Sequence, residues 1–290
     1  MKATFWGTRG SMPTPGTGTS RHGGNTSCVE VRPGGGSLIV LDAGTGIAAF
    51  GRTLAGPVGR VDILLTHLHL DHILGLGFFS PLFDARSEVH VWGPSSTTLD
   101  LRARLTRYLS PPLFPVALRE LPCQLFLHDV PLGRAIELPE ATVEAALVCH
   151  PGPTVGYRIT SAIDGSTLAY LSDHEPALGN DTFPGSLQWT SGADLAAGVD
   201  LLIHDAQFTD EEYRSRIGWG HSSLRVAVAF ADLVGARRLV AFHHDPAHDD
   251  EFLDDFVDDT LTLANGAPVL AAREGDSYDL GVAPAPRVLA

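Results

Sequence analysis

The chain has 290 residues, of which 44% are hydrophobic and 19% are charged, a composition typical of a globular protein with a sizeable core. Its 34 acidic and 20 basic residues give a formal net charge of −14. We therefore expect its surface to repel polyanions, which argues against extended nucleic acid as a partner. No stretch approaches about eighteen uninterrupted apolar residues, so we expect no membrane partner either. The N-terminus lacks the apolar core and cleavage site of a secretory signal, so the predicted location is the cytoplasm.

Along the chain, apolar runs bounded by turn residues predict a strand-rich protein with helices between the strands. Ser222 or Ser223 is the candidate cap of the clearest helix, and Gly235 lies near its end. There is no repeat, linker or break in composition, so residues 1–290 are predicted to form a single domain with a layered α/β fold. Strands are predicted within 26–31, 37–44, 61–67, 88–93, 166–173, 199–206 and 237–244, and helices within 71–79, 97–109, 222–236 and around 252–257.

Histidines and aspartates recur at the carboxyl-terminal ends of the apolar runs. A single histidine in such a position is more often a hydrogen-bonded structural residue, whereas six segments that end in this way indicate a shared site. The residues concerned are Asp42, His67, His150, Asp173, the pair His204 and Asp205, and the pair His243 and His244.

The densest of these clusters is the sequence THLHLDH, residues 66–72. His67 and His69 lie two positions apart, so in an extended segment they project toward the same side and can chelate one ion. Asp71 and His72 then open a helix, which turns them toward a second ion. Zinc accepts imidazole and carboxylate ligands at about 2.0–2.2 Å, and two ions roughly 3.5–4 Å apart can stabilise the attacking and leaving oxygens of a hydrolysis. The motif therefore predicts a hydrolytic metal site.

THLHLDH also resembles the signature of the metallo-β-lactamase fold superfamily, whose other motifs follow in order. The matching segments are LDAGTG at 41–46, VCHPGPTVGYRI at 148–159, YLSDHE at 170–175 and LVAFHHDP at 239–246. The resemblance implies a four-layer αββα sandwich with the site between the sheet edges. It further implies that Asp42 orients a ligand histidine. His204 lies in one of the strand-end motifs and His244 adjoins His243, so we expect both beside the ligands. The implied ligands are His67, His69 and His150 for one ion, Asp71, His72 and His243 for the other, and Asp173 for both.

Within the superfamily, the chain is most similar to the ribonuclease Z and phosphodiesterase branch. The similarity rests on GTRGSMPTPG at 7–16 and on the motifs HDAQF and GHSS. In that branch a histidine outside the ligand set is held by a carboxylate, and we assign these roles to His221 and Asp205. Such a histidine can stabilise a phosphorane-like transition state or protonate the leaving alkoxide. With the ligand Asp71, these residues are the candidate catalytic groups; the alternative for His221 is a structural role in front of the 222–236 helix.

The predicted function is that of a dinuclear zinc hydrolase in which a metal-bridging hydroxide attacks a phosphate ester, with Mn²⁺ or Fe²⁺ as alternative metals. The tRNA-binding arm of the ribonuclease Z family is missing between His150 and Asp173, so the expected substrate is a small phosphodiester such as a cyclic nucleotide. One alternative is hydrolysis of a lactone, a β-lactam or a phosphotriester at the same ions. Another is a metal-stabilised regulatory or binding protein without turnover. The resemblance alone suggests a homodimer.

Overall fold

The computed structural model of the protein describes residues 1–176, 178, 186–258 and 261–281, and within these ranges the strands form two seven-stranded sheets. The first sheet contains β1 (Lys2–Gly7), β2 (Cys28–Arg32), β3 (Ile39–Leu41), β4 (Val61–Leu64), β5 (Glu88–Gly93), β6 (Gln124–Asp129) and β14 (Ser277–Asp279). The second contains β7 (Ile136–Leu138), β8 (Ala141–Leu147), β9 (Val155–Ser161), β10 (Thr167–Leu171), β11 (Leu201–Asp205), β12 (Leu239–Phe242) and β13 (Val269–Ala271). The helices are α1 (Gly46–Thr53), α2 (Leu70–Ile73), α3 (Leu101–Thr106), α4 (Ala193–Ala196), α5 (Asp210–Arg214), α6 (Leu224–Val234) and α7 (Asp250–Phe256).

Each sheet is antiparallel in one half and parallel in the other. In the first sheet the order is β14-β1-β2-β3-β4-β5-β6, and strands β3 to β6 run parallel. In the second the order is β13-β12-β11-β10-β9-β8-β7, and strands β10 to β13 run parallel. The parallel halves place the carboxyl ends of several strands at one edge of each sheet, which is the arrangement that can gather strand-end residues into a site.

The two sheets pack face to face around the largest core of the molecule. Phe5 of the first sheet and Phe242 of the second lie with ring centroids 5.9 Å apart, and both are fully buried. Helices α1 and α3 bury Phe50 and Leu105 against the outer face of the first sheet. Helices α4 and α6 cover the outer face of the second, with Phe230 in that core. These four layers confirm the predicted αββα sandwich.

The helix predicted at 222–236 is present as α6, and its cap is resolved in favour of Ser223. The Ser223 side chain accepts a hydrogen bond from the backbone N–H of Val226, which satisfies one of the free donors of the first turn. Gly235 ends the helix with a φ of 66°, a left-handed conformation that glycine adopts without a Cβ penalty.

The predicted length of the helix at 71–79 is wrong. The chain forms only the single turn α2, followed by a 3-10 turn at Leu76–Phe78. Gly75 packs against the loop after β3: its N–H donates to the carbonyl of Ala43 at 2.9 Å, and a Cβ would lie 2.0 Å from the Gly44 oxygen. This close approach draws the chain toward the loop instead of continuing the helix. The helix predicted at 97–109 is likewise shorter and forms α3.

Among the residues that the structure describes, no helix is long and apolar enough to cross a membrane.

Candidate metal centre

The strand-end histidines and aspartates of the two sheets meet at one edge of the sandwich. The loops after β3 and β4 bring residues from the first sheet, and the segments after β8, β10 and β12 bring residues from the second. Within the described residues, four overlapping groups of possible ligands have their ligand atoms within 4.8 Å of one another. Two of the four contain His221, and the other two consist of three histidines and of two histidines with two aspartates. The latter two groups contain His67, His69 and His150, and Asp71, His72, Asp173 and His243.

The first group consists of three imidazoles whose rings lie edge to face. The ring centroids of His67 and His69 are 4.3 Å apart, and those of His69 and His150 are 5.1 Å apart. His150 Nε2 lies 3.3 Å from His69 Nδ1. His67 is buried, whereas His69 is exposed, so this half of the centre opens to solvent. Three neutral imidazoles with an open side can hold one ion and leave a position free for water.

The second group is fully buried and combines two carboxylates with two imidazoles. Nε2 of His72 lies 3.0 Å from Asp173 Oδ1 and 3.2 Å from Asp71 Oδ2. Nε2 of His243 lies 3.2 Å from Asp71 Oδ2 and 3.4 Å from Asp173 Oδ2. Asp173 Oδ2 is also 3.8 Å from His67 Nε2, so the Asp173 carboxylate stands between the two groups.

The polar atoms that face this space fit divalent cations. Buried His67 Nε2, His72 Nε2 and Asp173 Oδ1 make no hydrogen bond within the described chain, which is costly unless an ion satisfies them. Burial opposes protonation of His72, yet the carboxylates of Asp173, Asp71 and Asp42 raise its pKa well above the ordinary value. Burial lowers the pKa of His67, which favours the neutral, ligand-competent imidazole. The buried carboxylates of the centre therefore favour a bound cation, and the unpaired nitrogen and oxygen atoms can coordinate it.

The Asp42 carboxylate makes a hydrogen bond to His72 of the second group. Asp42 follows β3 with a φ of 59°, and its carboxylate is fully buried. One oxygen accepts from the Thr66 N–H at 2.8 Å, and the other accepts from His72 Nδ1 at 2.8 Å and from the Tyr170 hydroxyl at 2.9 Å. Because Nδ1 of His72 carries the donated proton, its Nε2 lone pair faces the centre. Asp42 therefore bonds to His72 of the second group, and through Tyr170 it joins the two sheets.

Two residues that sequence analysis did not select also hold the second group. Gln207 Oε1 lies 3.2 Å from His243 Nδ1, so the amide oxygen can accept a hydrogen bond from an Nδ1–H and leave Nε2 free. The backbone N–H of Ser11 donates to Asp71 Oδ2 at 2.8 Å, from a residue with a φ of 58°. The opening segment of the chain thereby contributes to the ligand geometry through its backbone.

Glu175 is a third residue that sequence analysis missed, and it acts on the first group through a loop. Its buried carboxylate accepts from Gly218 N at 2.9 Å, from Gly220 N at 2.8 Å and from the Tyr213 hydroxyl at 2.9 Å. The carbonyl of Gly220 in turn accepts from His150 Nδ1 at 2.9 Å. Gly220 has a φ of 86°, and a Cβ there would lie 2.4 Å from His150 Nδ1, so only glycine fits.

A signal for two of the missed residues was present in the sequence. Gln207 lies two positions after Asp205, and Glu175 lies two positions after Asp173, in the motifs HDAQF and SDHE. In extended chain, residues two apart project to the same side, so each is a candidate to face the site with the acid before it.

His221 lies at the border of the two groups and is held by Asp205. Its Nδ1 is 2.6 Å from Asp205 Oδ2, and its ring stacks on His243 with centroids 5.0 Å apart. Asp205 is fully buried and also accepts from the N–H groups of Gln207 and Ser222 at 3.0 Å. Burial opposes protonation of His221, but Asp205, followed by nearby Asp173, raises its pKa to about 9. With Nδ1 engaged by Asp205, the nitrogen that remains available is Nε2.

His204 and His244 lie elsewhere than expected, since neither side chain contacts a proposed ligand within the described chain. His204 Nε2 is 2.9 Å from His174 Nδ1, and its ring packs at 4.9 Å from Phe230 of α6. His244 Nε2 is 3.0 Å from the carbonyl of Ala272. Side chains alternate along β11, so His204 points to the side opposite Asp205. His243 has a φ of 61°, and after this turn of the chain the His244 side chain lies against Ala272 and not at the centre.

A four-layer αββα sandwich with this cluster at its sheet edge defines a metal-dependent hydrolase of the metallo-β-lactamase fold. The pattern of the beta-lactamase superfamily domain matches residues 38–244, and the chain belongs to this family. A ribonuclease Z of Mycobacterium bovis is 28% identical over 269 residues, which cover 85% of this chain and 87% of that protein. Human tRNase Z, short form, has the same fold, with a TM-score of 0.68 and 22% identity over 97% of this chain and all of that one. Zn²⁺-bound PqqB from Methylobacterium extorquens also superimposes with a TM-score of 0.68, at 17% identity over 96% of this chain and all of that one.

The expectation that extended nucleic acid is no partner is wrong. Relatives that match most of the chain are ribonucleases, and the fold is shared with a tRNase. Net charge sums over the whole molecule, including carboxylates buried in the centre such as Asp71 and Asp173, and does not report the local field at the site. An acidic chain is therefore compatible with an RNA substrate.

Proposed function

We propose that the protein is a phosphodiesterase that works with two divalent ions, in the first instance Zn²⁺. The observation that carries this proposal is the His221–Asp205 pair, with 2.6 Å between His221 Nδ1 and Asp205 Oδ2, at the border of the two ligand groups. Hydrolysis of an ester with a poor leaving group requires a proton donor for the departing alkoxide. A histidine outside the ligand set, held in one orientation by a buried carboxylate, meets that requirement.

In this proposal His67, His69 and His150 would hold one ion, and Asp71, His72 and His243 would hold the other. Asp173, which lies between the two groups, would be a further ligand. When bound, the ions would supply a nucleophile at neutral pH by lowering the pKa of water, and they would stabilise charge on the phosphate. The chain itself orients the ligands through Asp42, Gln207 and the Gly220 carbonyl. Asp205 accepts the Nδ1–H of His221 and raises the pKa of this histidine to about 9, so the imidazolium carries a second proton on Nε2, which is passed to the leaving oxygen.

The substrate class is a phosphodiester with an alkoxide leaving group. The name of the curated relatives, ribonuclease Z, supports an RNA phosphodiester, and the exposed side of His69 gives access for a long chain. A cyclic nucleotide contains the same reacting group, so it belongs in the same test. No feature of the site favours a lactone, a β-lactam or a phosphotriester over a diester.

The test combines metal analysis with a substrate panel on one Zn²⁺-loaded preparation. The panel contains bis-p-nitrophenyl phosphate, a cyclic nucleotide, an RNA with a 3′ extension, a phosphotriester, a lactone and a β-lactam. We expect two ions per chain and turnover of the diesters, and we expect chelation to abolish it. Full activity of a demonstrably metal-free sample, or turnover confined to the last three compounds, would overturn the proposal.

A His221→Ala variant tests the role of the proton donor. Loss of a general acid should reduce kcat about 10²–10⁴-fold for diesters with a ribose leaving group. The loss should be much smaller for p-nitrophenolate, which departs without protonation. His128→Ala is the matched control, since His128 stacks on Trp92 away from the centre. Equal losses on both kinds of leaving group would refute the assigned role.

A further inference from the structure

A cleft of about 210 Å³ opens beside the exposed half of the metal centre. His67 and His69 form one wall, and the segment 151–153, which directly follows the ligand His150, forms another. Pro94, Ser96 and Arg104 complete the lining. The cleft therefore begins at the ligands themselves, so a substrate whose phosphate lies at the centre can extend into it.

Arg104 is the cation of this cleft, and the fold holds it in place. It lies in α3, which Asp100 caps by accepting from the Ala103 N–H, while Leu101 and Leu105 are buried in the outer core. Its Nη2 donates to the carbonyl of Pro94 at 2.6 Å, and its side chain is 14% exposed. An arginine fixed in this way presents its guanidinium with little further loss of conformational freedom.

The Arg104 guanidinium has N–H donors left with which to bind an anion. Arginine has five N–H donors, and within the described residues Nη1 of Arg104 makes no hydrogen bond. The nearest acid is Asp129, whose Oδ1 lies 3.7 Å from Nη2 and whose side chain is 52% exposed, so this ion pair is loose and solvated. None of the residues that line the cleft is acidic. Among the residues that line the cleft, Arg104 is the one lysine or arginine.

We propose that the cleft is a subsite for a second phosphate of the substrate, next to the phosphodiester that is cleaved, and that Arg104 binds it. The proposal rests on the phosphodiesterase function proposed above. The second phosphate can be the next one of an RNA strand or the terminal phosphate of a small nucleotide, because both present the same oxygens to a guanidinium. Arg104 thus acts as a specificity residue that favours substrates with two neighbouring phosphates.

The kinetic test compares substrates that differ only in the second phosphate. These are the dinucleotide ApA, its terminally phosphorylated forms pApA and ApAp, and the trinucleotide ApApA, whose second phosphate is internal. We expect kcat/KM of the wild type to be about tenfold higher for a substrate with the second phosphate. Arg104→Gln removes the charge but keeps an amide near the position of Nε, which lies 3.4 Å from the Asp100 carbonyl, and it should lose this preference. A zinc content and a thermal midpoint equal to those of the wild type serve as the test of folding for this variant.

Arg102→Ala is the matched control, because Arg102 lies on the same helix, is exposed and is absent from the cleft. It should keep the preference. A preference confined to pApA and ApAp would identify a terminal phosphate, and one shared by ApApA would identify a strand. A wild type without preference, or an Arg104→Gln variant that keeps it, would overturn the subsite while leaving the phosphodiesterase function intact.

A binding measurement separates the subsite from turnover. Adenosine 3′,5′-bisphosphate carries two phosphates, and inorganic phosphate carries one. On Zn²⁺-loaded protein, calorimetry should show about tenfold weaker binding of the bisphosphate to Arg104→Gln than to the wild type, with binding of inorganic phosphate unchanged. This outcome would support the subsite even if no diester were hydrolysed. Equal affinity of both proteins for the bisphosphate would refute it.

Discussion

Replacing Asp42 with asparagine should weaken the second ligand group without disturbing the backbone. The residue has a φ of 59°, a conformation that asparagine tolerates, so the change tests the carboxylate alone. If the new amide oxygen keeps the hydrogen bond from the Thr66 N–H, its NH₂ faces His72 Nδ1. The asparagine NH₂ and the His72 Nδ1–H would then be two donors facing each other. To avoid this, His72 must carry its proton on Nε2 instead. That nitrogen is the one that faces Asp71 and Asp173, so it can no longer bind an ion.

The expected magnitude follows from the hydrogen bond that is lost. Removing the partner of a ligand histidine typically lowers metal affinity about 10–100-fold, equivalent to about 1.4–2.7 kcal/mol. The affinity should fall for the ion held by Asp71, His72 and His243. The affinity for the ion held by His67, His69 and His150 should not change. Competition with a chromophoric chelator at fixed pH resolves the two affinities, and metal analysis after dialysis gives the stoichiometry.

Asp62→Asn is the control for the general effect of losing a buried carboxylate outside the metal centre. Asp62 is 3% exposed and accepts from Trp92 Nε1 at 2.9 Å, but it lies on β4 outside the centre. Its asparagine variant should bind both ions normally, even if its thermal midpoint falls. Unchanged affinity of both ions in a folded Asp42→Asn protein would refute the claim that this carboxylate sets the proton position of His72.

Three further substitutions test the other residues that position the site. Asp205→Asn should lower kcat for diesters about 10²–10⁴-fold with metal content unchanged, and loss of metal would contradict a role outside the ligand set. Glu175→Gln should lower the free energy of unfolding by roughly 1.5–3 kcal/mol, measured by urea unfolding. It should also weaken the binding of the ion at His150, measured by chelator titration. A loop that stays ordered with normal metal affinity would contradict this prediction. Gln207→Leu should lower the affinity of the His243 ion about 10–100-fold, and equal affinity in variant and wild type would show that the amide is dispensable.

The sequence predicted which histidines and aspartates come together, because these residues lie at strand ends. A run such as VDILLT fixes where β4 stops, and THLHLDH follows at once, so local spacing determines which side chains face the same direction. His150, Asp173 and His243 each follow an apolar run, and the parallel pairing of β10 to β12 brings the latter two to one edge. The layers of the fold follow from the same runs.

The sequence predicted less well wherever a distant backbone group determines the outcome. The helix after His72 stops early because Gly75 packs against Gly44, a contact between segments that local helical periodicity does not report. Ser11 contributes its N–H to Asp71 from 60 positions away, and a backbone donor leaves no trace in residue type. His204 resembled a site residue because it ends a strand, yet the pleat of β11 turns it toward α6.

The mistaken exclusion of nucleic acid has a separate origin, in the use of a net charge to describe a surface. Asp42, Asp71, Asp173 and Asp205 are buried, so they enter the formal charge of −14 without facing solvent. Two divalent ions, in the loading that we propose, would add four positive charges at the same place. A polyanion responds to charges within a Debye length, about 8 Å at physiological ionic strength. There the proposed ions would offset the four buried carboxylates, and Arg104 lines the adjoining cleft. Remote acids slow the encounter at low salt, but they do not decide what binds at the site.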